Sequence, residues 1–194
     1  MVRADPDPAA GASSPMKAVA LLRGINVGGK HLLPMKELAA LFTAEGCTSV
    51  RTYIQSGNVV FGSNEAKPDE LADRIALKIA QQFGFTCPVI LRTAAELADT
   101  LRQNPFLTPG VDQNALHVYF LAQAPNAEHA AALDPGRSMP DRFVLHNRDI
   151  YLHLPNGMGR SKLTNAYFDS KLHTVSTARN WRTILTLHDM LQQS

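Results

Sequence analysis

The order of predicted strands and helices occurs twice along this chain, and this repetition limits its possible folds more than any other feature. The first pass begins at strand KAVALLR (17–23), continues through a helix, a hairpin and a second helix to strand TCPVILR, and ends with a helix that starts at Thr93. The second pass begins at strand LHVYFL (116–121) and ends with the helix NWRTILTLHDMLQQ. Each pass reads βαββαβ plus a trailing helix, which is typical of the split βαβ, or ferredoxin-like, arrangement. The sequence therefore predicts an α+β fold with antiparallel sheets covered by helices.

The predicted seam between the two passes is the segment NPFLTPGVDQN (104–114). The halves share no obvious residue identity, so the prediction of two tandem subdomains depends on the order of the elements alone. We expect a first ferredoxin-like subdomain over residues 16–106 and a second over 107–194. Residues 1–15, MVRADPDPAAGASSP, are rich in Pro, Ala, Ser, Gly and Asp, which predicts a disordered extension.

Composition argues against several classes of protein. The longest apolar stretches are short strands, so no membrane span is expected. Cys47 and Cys87 lie beside predicted strands in a chain without a secretory signal, which favours free buried thiols and a cytoplasmic location. Two cysteines cannot build a structural zinc site, and the histidines show no HxxxH or HxH spacing, so no metal and no cofactor are expected. The net charge of +2 is weak for general binding to nucleic acid.

Basic residues lie at three predicted helix starts, in the segments RGINVGGKHLLP, GRSKLT and TARNWRT. A helix N-terminus carries about half a positive charge, so a cation there costs about 0.3–1 kcal/mol unless an anion offsets it. Two other predicted helices follow the ordinary rule, with Asp69-Glu70 and Glu96 in their first turns. This contrast predicts a site for an anionic ligand.

The segment GINVGGK (24–30) follows a strand and fits the spacing of a phosphate loop, G-x-x-x-x-G-K. His31 replaces the Ser or Thr that would hold magnesium, and Pro34 delays the helix, so a nucleotide hydrolase of that type is not expected. Two interpretations stay open. Backbone N–H groups of the loop could bind a smaller anion, or the glycines could only supply the backbone angles that a tight connection needs. The segment TYIQSGNVVF is equally open, because a plain hairpin there could still turn Ser56 and Asn58 toward this loop.

The two basic segments near the C-terminus each allow a structural and a functional interpretation. In GRSKLT, Ser161 could cap a helix between two solvated cations, or the three side chains could clamp a phosphate or a carboxylate. In TARNW, Thr177 and Asn180 are both suitable helix caps, and Arg179 could hold a carboxylate or phosphate through two hydrogen bonds.

A different function follows if the second sheet is exposed. The strand containing Tyr119 and the strand containing Tyr151 and His153 would be central in a split βαβ sheet. Rings at alternate positions of such strands are what RNA-recognition sheets use to stack bases. The other reading is that these rings pack against the first half of the chain.

The strings MKAVALLRGINVGGK, RTYIQSGNVVF, GRSKLT and TARNWRT together resemble domain-of-unknown-function family 1697, a family of bacterial proteins, from Met16 to the C-terminus. The resemblance implies two ferredoxin-like subdomains, in agreement with the order of the elements, and it implies no assigned activity. His31 departs from the expected pattern. The resemblance gives weight to Arg23, Gly24, Asn26, Gly28, Gly29, Lys30, Ser56, Gly57, Asn58, Ser161, Thr177, Arg179, Asn180, Trp181 and Thr183.

Our hypothesis is that these segments meet in one polar cleft between the halves and bind a phosphate- or carboxylate-bearing small ligand, such as a nucleotide or a phosphometabolite. Two alternatives stay open: an RNA- or DNA-binding protein, and an enzyme of unassigned class at the same cleft with no catalytic residue identified. Whether the protein has a protein partner stays open. The expected ligand-binding residues are Arg23, Gly24, Asn26, Gly28, Gly29, Lys30, Ser56, Asn58, Arg160, Ser161, Lys162, Thr177, Arg179 and Asn180.

Overall fold

A computed structural model describes residues 15–65 and 67–193 of the chain. The predicted extension 1–15 lies outside the described residues except for Pro15. The first half has four strands and three α-helices in the predicted order. They are β1 (Met16–Leu22), α1 (Met35–Ala44), β2 (Thr48–Tyr53), β3 (Asn58–Ser63), α2 (Pro68–Phe83), β4 (Val89–Thr93) and α3 (Ala94–Arg102).

The second half repeats this order. Its elements are β5 (Leu116–Leu121), α4 (Ala127–Ala131), β6 (Arg142–His146), β7 (Asp149–His153), α5 (Asn165–Leu172), β8 (Ser176–Asn180) and α6 (Trp181–Gln192). None of the helices in the described part of the chain combines the length and the apolar character that crossing a bilayer requires.

The two halves form two antiparallel sheets of the same topology. The strand order is β2-β3-β1-β4 in the first sheet and β6-β7-β5-β8 in the second. In both sheets the first strand of the half lies between the third and the fourth, which is the split βαβ arrangement. The prediction of an α+β fold with two tandem ferredoxin-like halves is confirmed.

Apolar side chains divide the molecule into layers. The outer face of the first sheet packs against α1 and α2, and the outer face of the second sheet packs against α5. A third cluster lies between the sheets and joins inward-facing residues of both with α3 and α6, including Leu97 and Ile184. The two sheets therefore share one apolar interior, and any site at their boundary is built from both halves.

Local sequence signals explain where the helices begin. Thr93 and Glu96 form the predicted capping box at the start of α3, with reciprocal bonds of 2.8 and 3.2 Å. Asn180 caps α6 through a bond from the backbone N–H of Thr183 at 2.8 Å. Thr164, rather than the expected Ser161, caps α5.

The expected pattern of basic helix starts is largely wrong. Arg179 lies inside strand β8, because the strand continues to the cap residue Asn180. Arg160 lies in a short 3-10 segment, well before α5 begins at Asn165. Lys30 precedes the first residue of α1 by five positions. Only α6 keeps the predicted feature, with Arg182 and no acidic residue in its first turn.

Candidate functional site

Each half contributes one buried arginine to the other half, at equivalent positions. Arg92 of β4 lies opposite Val19 of β1, and Arg179 of β8 lies opposite Val118 of β5. Residues directly opposite in a sheet point to the same face, and both valines belong to the apolar layer between the sheets. Both arginines therefore project toward the opposite half.

Arg179 holds the β2–β3 turn of the first half. Its Nη2 donates to the carbonyl oxygens of Leu22 at 2.7 Å and of Ser56 and Gly57 at 3.1 Å. Its Nε donates to the side-chain oxygen of Asn58 at 2.5 Å, and Nη1 donates within its own strand. The side chain thus forms a hydrogen-bonded bridge between the halves.

Arg92 makes the equivalent contacts with the β6–β7 turn of the second half. Its Nη2 donates to the carbonyl oxygens of Leu121 at 3.0 Å and Arg148 at 2.7 Å. The same nitrogen forms a salt bridge of 3.0 Å with Asp149, whose second oxygen accepts from Thr100 at 2.5 Å. Two arginines in equivalent strands therefore join the halves reciprocally.

The two bridges differ in charge. Asp149 is the first residue of β7, and Asn58 is the first residue of β3, so a carboxylate meets Arg92 where an amide meets Arg179. Beside Arg92, Glu96 also pairs with Arg148 at 2.8 Å. In the part of the chain that the structure describes, Arg179 has no salt-bridge partner. One end of the interface is neutralised internally, and the other keeps a buried positive charge.

Burial changes the ionisation of both arginines. It lowers the pKa of Arg179 to about 10, so the side chain is still protonated at neutral pH. Burial also lowers the pKa of Arg92, and the charge of Asp149 opposes this shift. Arg179 is 8% exposed and is therefore a desolvated cation whose compensation comes from neutral oxygens alone.

A cavity of about 360 Å³ lies beside Arg179, between the two halves. Ile54 and Ser56 line it from the first half, and the second half contributes His117, Met158, Thr183 and residues 178–180. The N-terminus of α6 borders this cavity through its cap Asn180. Its partial positive charge adds to that of Arg179 and is not offset by an acidic residue in the first turn of α6. We call this space the Arg179 cavity.

His117 adds a buried polar atom to the wall of the Arg179 cavity. Its Nδ1 has no hydrogen-bond partner among the described residues. Burial lowers the pKa of His117 below its ordinary value, although a hydrogen bond with the backbone of Ala115 opposes the shift. The imidazole is therefore neutral at pH 7, and Arg179 is the charged side chain of this wall.

The structure brings several expected site residues together near this boundary. Arg23 forms a salt bridge with Asp169 and also donates to the backbone of Ser176 at 3.2 Å. Thr177 is buried, and its hydroxyl donates to the carbonyl of Leu22 at 3.3 Å. Asn58 is fully buried and positions Arg179, so it does not offer its side chain to a ligand.

Asn26 organises the loop that follows β1. Its Nδ2 donates to the carbonyls of Leu33 and Gln55, both at 2.9 Å, and its Oδ1 accepts from the N–H of Leu33 at 2.8 Å. The loop is thereby tied to the β2–β3 turn, which borders the Arg179 cavity. Asn26 also has a φ of 56°, a left-handed conformation that asparagine tolerates better than most residues.

The glycines of the predicted phosphate loop have a conformational explanation. Gly28 and Gly29 have φ values of 59° and 72° and connect Val27 to Lys30, whose N–H donates to the Val27 carbonyl at 3.1 Å. Two consecutive positive φ angles are typical of a type I′ turn, for which glycine is favoured. Gly24 is exposed and also has a positive φ, and the Lys30 side chain is exposed.

The segment 160–162 does not form the expected clamp at a helix start. The hydroxyl of Ser161 accepts from the N–H of Leu163 at 3.1 Å, while the side chains of Arg160 and Lys162 are exposed. Residues 160–162 do not line the Arg179 cavity, although Met158, two residues before this segment, does.

The expected base-stacking surface is not formed by the rings of the second sheet. Tyr119 is buried on the outer face, where its hydroxyl donates to the carbonyl of Leu163 at 3.1 Å. Tyr151 is buried on the opposite face, in the layer between the sheets. His153 lies against Phe106 with ring centroids 6.1 Å apart. These rings therefore pack within the protein, but only Tyr151 packs against the first sheet, whereas Tyr119 packs against α5 of its own half.

Sequence reasoning missed Arg92, Asp149 and Ile54. Arg92 stands in the apolar strand TCPVILR, whereas Arg179 was predicted at a helix start, so the equivalence of the two positions is visible only because β8 continues to Asn180. Ile54 has a φ of 49° and is exposed in the β2–β3 turn, a conformation with no simple sequence signal. Among the described residues, no group of three or more His, Cys, Asp or Glu side chains is placed to hold a metal ion.

Comparison with known proteins agrees with the architecture. The family model described as "Protein of unknown function (DUF1697)" matches residues 16–151. The solved structure of a conserved bacterial protein, SP0830 from Streptococcus pneumoniae, is similar with a TM-score of 0.67 and 22% sequence identity. That similarity covers 91% of this chain and 98% of the other, and at this identity it concerns the fold alone. No curated protein matches the chain in sequence.

Proposed function

We propose a function for this chain, which belongs to the DUF1697 family because the family model matches its residues 16–151. The protein binds a small ligand that carries a carboxylate or a phosphate group, and the binding site is the Arg179 cavity. We also propose that it acts in the cytoplasm, in keeping with its two free, buried cysteines.

The observation that carries the proposal is the buried charge of Arg179. A desolvated cation is costly unless an opposite charge or a full set of hydrogen bonds compensates it. Among the described residues, carbonyl and amide oxygens accept hydrogen bonds from Arg179 but no carboxylate pairs with it, whereas the equivalent Arg92 has Asp149. An anion in the Arg179 cavity would provide the missing charge.

Other groups around the cavity suit the same ligand. The start of α6 adds partial positive charge, as helix N-termini do in many anion sites. The Ser56 hydroxyl accepts from Asn58 at 3.0 Å, and a hydroxyl that accepts one hydrogen bond can still donate another. The volume of about 360 Å³ is at the small end of the range for ligand pockets, which is about 300–1,000 Å³.

The role expected for Arg179 changes in one respect. Each of its nitrogens already donates to a protein oxygen, so it attracts the ligand through charge rather than through a free bidentate pair of N–H groups. The nucleic-acid alternative has less support, because Tyr119 and Tyr151 are buried. The enzyme alternative has no favouring observation in this cavity beyond the neutral imidazole of His117.

The decisive test is Asn58→Asp, which places a carboxylate beside Arg179 in the position that Asp149 has beside Arg92. Titration calorimetry should be run with a panel of nucleotides, sugar phosphates and carboxylates. For any ligand that binds the natural protein, we expect Asn58→Asp to weaken binding at least about tenfold, since the charge of Arg179 is then already neutralised. The variant keeps the acceptor that Arg179 needs but loses the amide donor to the Tyr53 carbonyl and the Ser56 hydroxyl, so thermal unfolding is measured first and must show a folded protein.

Asn64→Asp is the matched control. Asn64 is exposed and follows the other end of β3, six residues or about 20 Å from Asn58. Asn64→Asp makes the same change in net charge as Asn58→Asp, and we expect it to leave the affinity for the same ligand within twofold of that of the natural protein. Binding that survives Asn58→Asp, or no binding by any anion in the panel, would overturn the proposal.

A further inference from the structure

The residues that line the Arg179 cavity indicate the chemical class of its ligand more closely than the positive charge of Arg179 alone does. Among the residues that line the cavity, the charged side chain is Arg179, while Ile54, Met158 and Ala178 are apolar. Arg23, another basic residue near this boundary, is paired with Asp169. The cavity therefore offers about one positive charge, supplemented by the partial charge of the α6 N-terminus.

This charge matches a carboxylate better than a phosphate monoester. A phosphate monoester carries about −1.5 to −2 at pH 7 and presents three strong acceptor oxygens. Phosphate sites generally meet these with several N–H donors or more than one cation. Here the N–H groups of the single cation are already occupied by protein oxygens. A group with one negative charge would be neutralised, and a dianion would not.

Ile54 points to an apolar body on the same ligand. Its side chain is 51% exposed although it lines the cavity, and its φ of 49° is left-handed. A β-branched residue is strained in that region, where asparagine or glycine would be favoured. Strained residues persist where the surrounding structure or a function requires them. An exposed apolar side chain held at a cost to stability beside a cavity is suited to contact an apolar ligand.

We infer that the ligand of the Arg179 cavity is a small monocarboxylate with an apolar body, whose carboxylate compensates Arg179 and whose apolar part contacts Ile54 and Met158. This inference rests on the proposed function and narrows it to one class of ligand. Ile54 is then a specificity-determining residue, and its backbone strain is the stability given up for that contact.

The experiment compares probes that differ in one property at a time. Titration calorimetry at pH 8 should use acetate and hexanoate, which differ in the apolar body, and hexyl phosphate, which differs from hexanoate in the charged group. We expect hexanoate to bind at least about tenfold tighter than acetate, since each buried methylene favours binding. We expect hexanoate to bind tighter than hexyl phosphate, and we expect Asn58→Asp to weaken hexanoate at least tenfold.

Ile54→Asn separates the specificity role from a structural one. Asparagine tolerates the left-handed backbone, so this variant should raise Tm by about 2–4 °C. It should also weaken hexanoate about tenfold while leaving acetate within twofold. A variant that is destabilised, or that binds hexanoate as the natural protein does, would overturn the assignment of Ile54.

The remaining outcomes distinguish this inference from the proposed function. If hexyl phosphate binds as tightly as hexanoate, or if acetate equals hexanoate, and Asn58→Asp abolishes that binding, the monocarboxylate inference is wrong and anion binding stands. If none of the three probes binds at about 50 mM, roughly fifty times a dissociation constant of 1 mM, the monocarboxylate inference is wrong, and the proposed function is wrong as well only if the wider panel of nucleotides, sugar phosphates and carboxylates also fails to bind.

Discussion

Arg92 and Arg179 occupy equivalent strand positions and reach across the interface in opposite directions, each binding the turn between the second and third strands of the other half. The pair gives the interface an approximate two-fold relationship. The relationship is broken in charge, because Arg92 faces Asp149 and Arg179 faces Asn58. The same repeated arrangement therefore gives one bridge in which the arginine meets a carboxylate and one in which it meets a neutral amide.

This difference predicts unequal costs for removing the two arginines. Arg92→Met leaves Asp149 buried without its cation, so we expect a loss of about 3–5 kcal/mol in the free energy of unfolding. Arg179→Met leaves neutral oxygens without donors, and we expect a loss of about 1–3 kcal/mol. Urea unfolding of both variants measures the two values. Adding Asp149→Asn to Arg92→Met should recover part of the loss, and an Arg179→Met variant that is the less stable of the two would contradict this account.

The fold was predictable from the sequence because its signals are local. Short apolar runs, buried on both faces of their sheets, define most of the strands, and the capping box of Thr93 and Glu96 marks the beginning of α3. The helix NWRTILTLHDMLQQ was placed correctly, but its cap stayed open between Thr177 and Asn180, which are both good caps. Pairing of β8 with β5, which decides between them, is a contact between distant segments. The boundary between residues 106 and 107 stays a prediction.

The candidate site was predictable only in part. Residue type identified Arg179 as a bearer of positive charge, but the argument from basic helix starts assigned it to the wrong element. The contacts that define the site join residues more than 120 positions apart, such as Arg179 and Asn58. No local pattern encodes such a pairing. The missing carboxylate becomes visible only when the two halves are compared in space.

Stability should depend on pH through Glu96. Burial tends to raise the pKa of this carboxyl, but the hydrogen bond from the Thr93 backbone and the charge of Arg148 lower it below the ordinary value. A lowered pKa in the folded state means that Glu96 stabilises the protein above its unfolded pKa of about 4.3. This contribution is lost as the pH falls through the folded value.

The measurement is the difference in free energy of unfolding between the natural protein and Glu96→Gln. We expect the natural protein to be the more stable at pH 6–7, roughly two units above the unfolded pKa, and the difference to shrink as the solution is acidified below about pH 4. Arg148 should be required for part of the effect, since it donates to Glu96 at 2.8 Å. A difference that grows on acidification would contradict the assigned direction.

Both thiols should be unreactive in the folded protein. Burial raises the pKa of Cys87 to about 11, and burial together with the charge of Glu45 raises the pKa of Cys47 to about 11. About one thiol in a thousand is then ionised at pH 8, against roughly a quarter for a free cysteine. A chromogenic disulfide reagent should therefore label both residues rapidly in denaturant and at least about a hundredfold more slowly in the folded state. Rapid labelling of either cysteine without denaturant would show that it is accessible.

The loop after β1 should depend on Asn26 far more than on its basic residue. Asn26→Ala removes three hydrogen bonds that join the loop to Leu33 and to the β2–β3 turn, and it places a residue with little tolerance for a φ of 56° at that position. We expect a loss of about 2–3 kcal/mol in the free energy of unfolding. Lys30→Ala is the control, because its side chain is exposed and the turn uses only its backbone, so a change within about 0.5 kcal/mol is expected. The two variants should also differ in ligand binding. The Gln55 carbonyl links Asn26 to the turn that carries Ile54 and Ser56, so Asn26→Ala should weaken the binding of any ligand in the Arg179 cavity, while Lys30→Ala should not. If Lys30→Ala alone abolishes that binding, the glycine-rich loop itself contacts the anion, and the charge of Arg179 is not the main attraction.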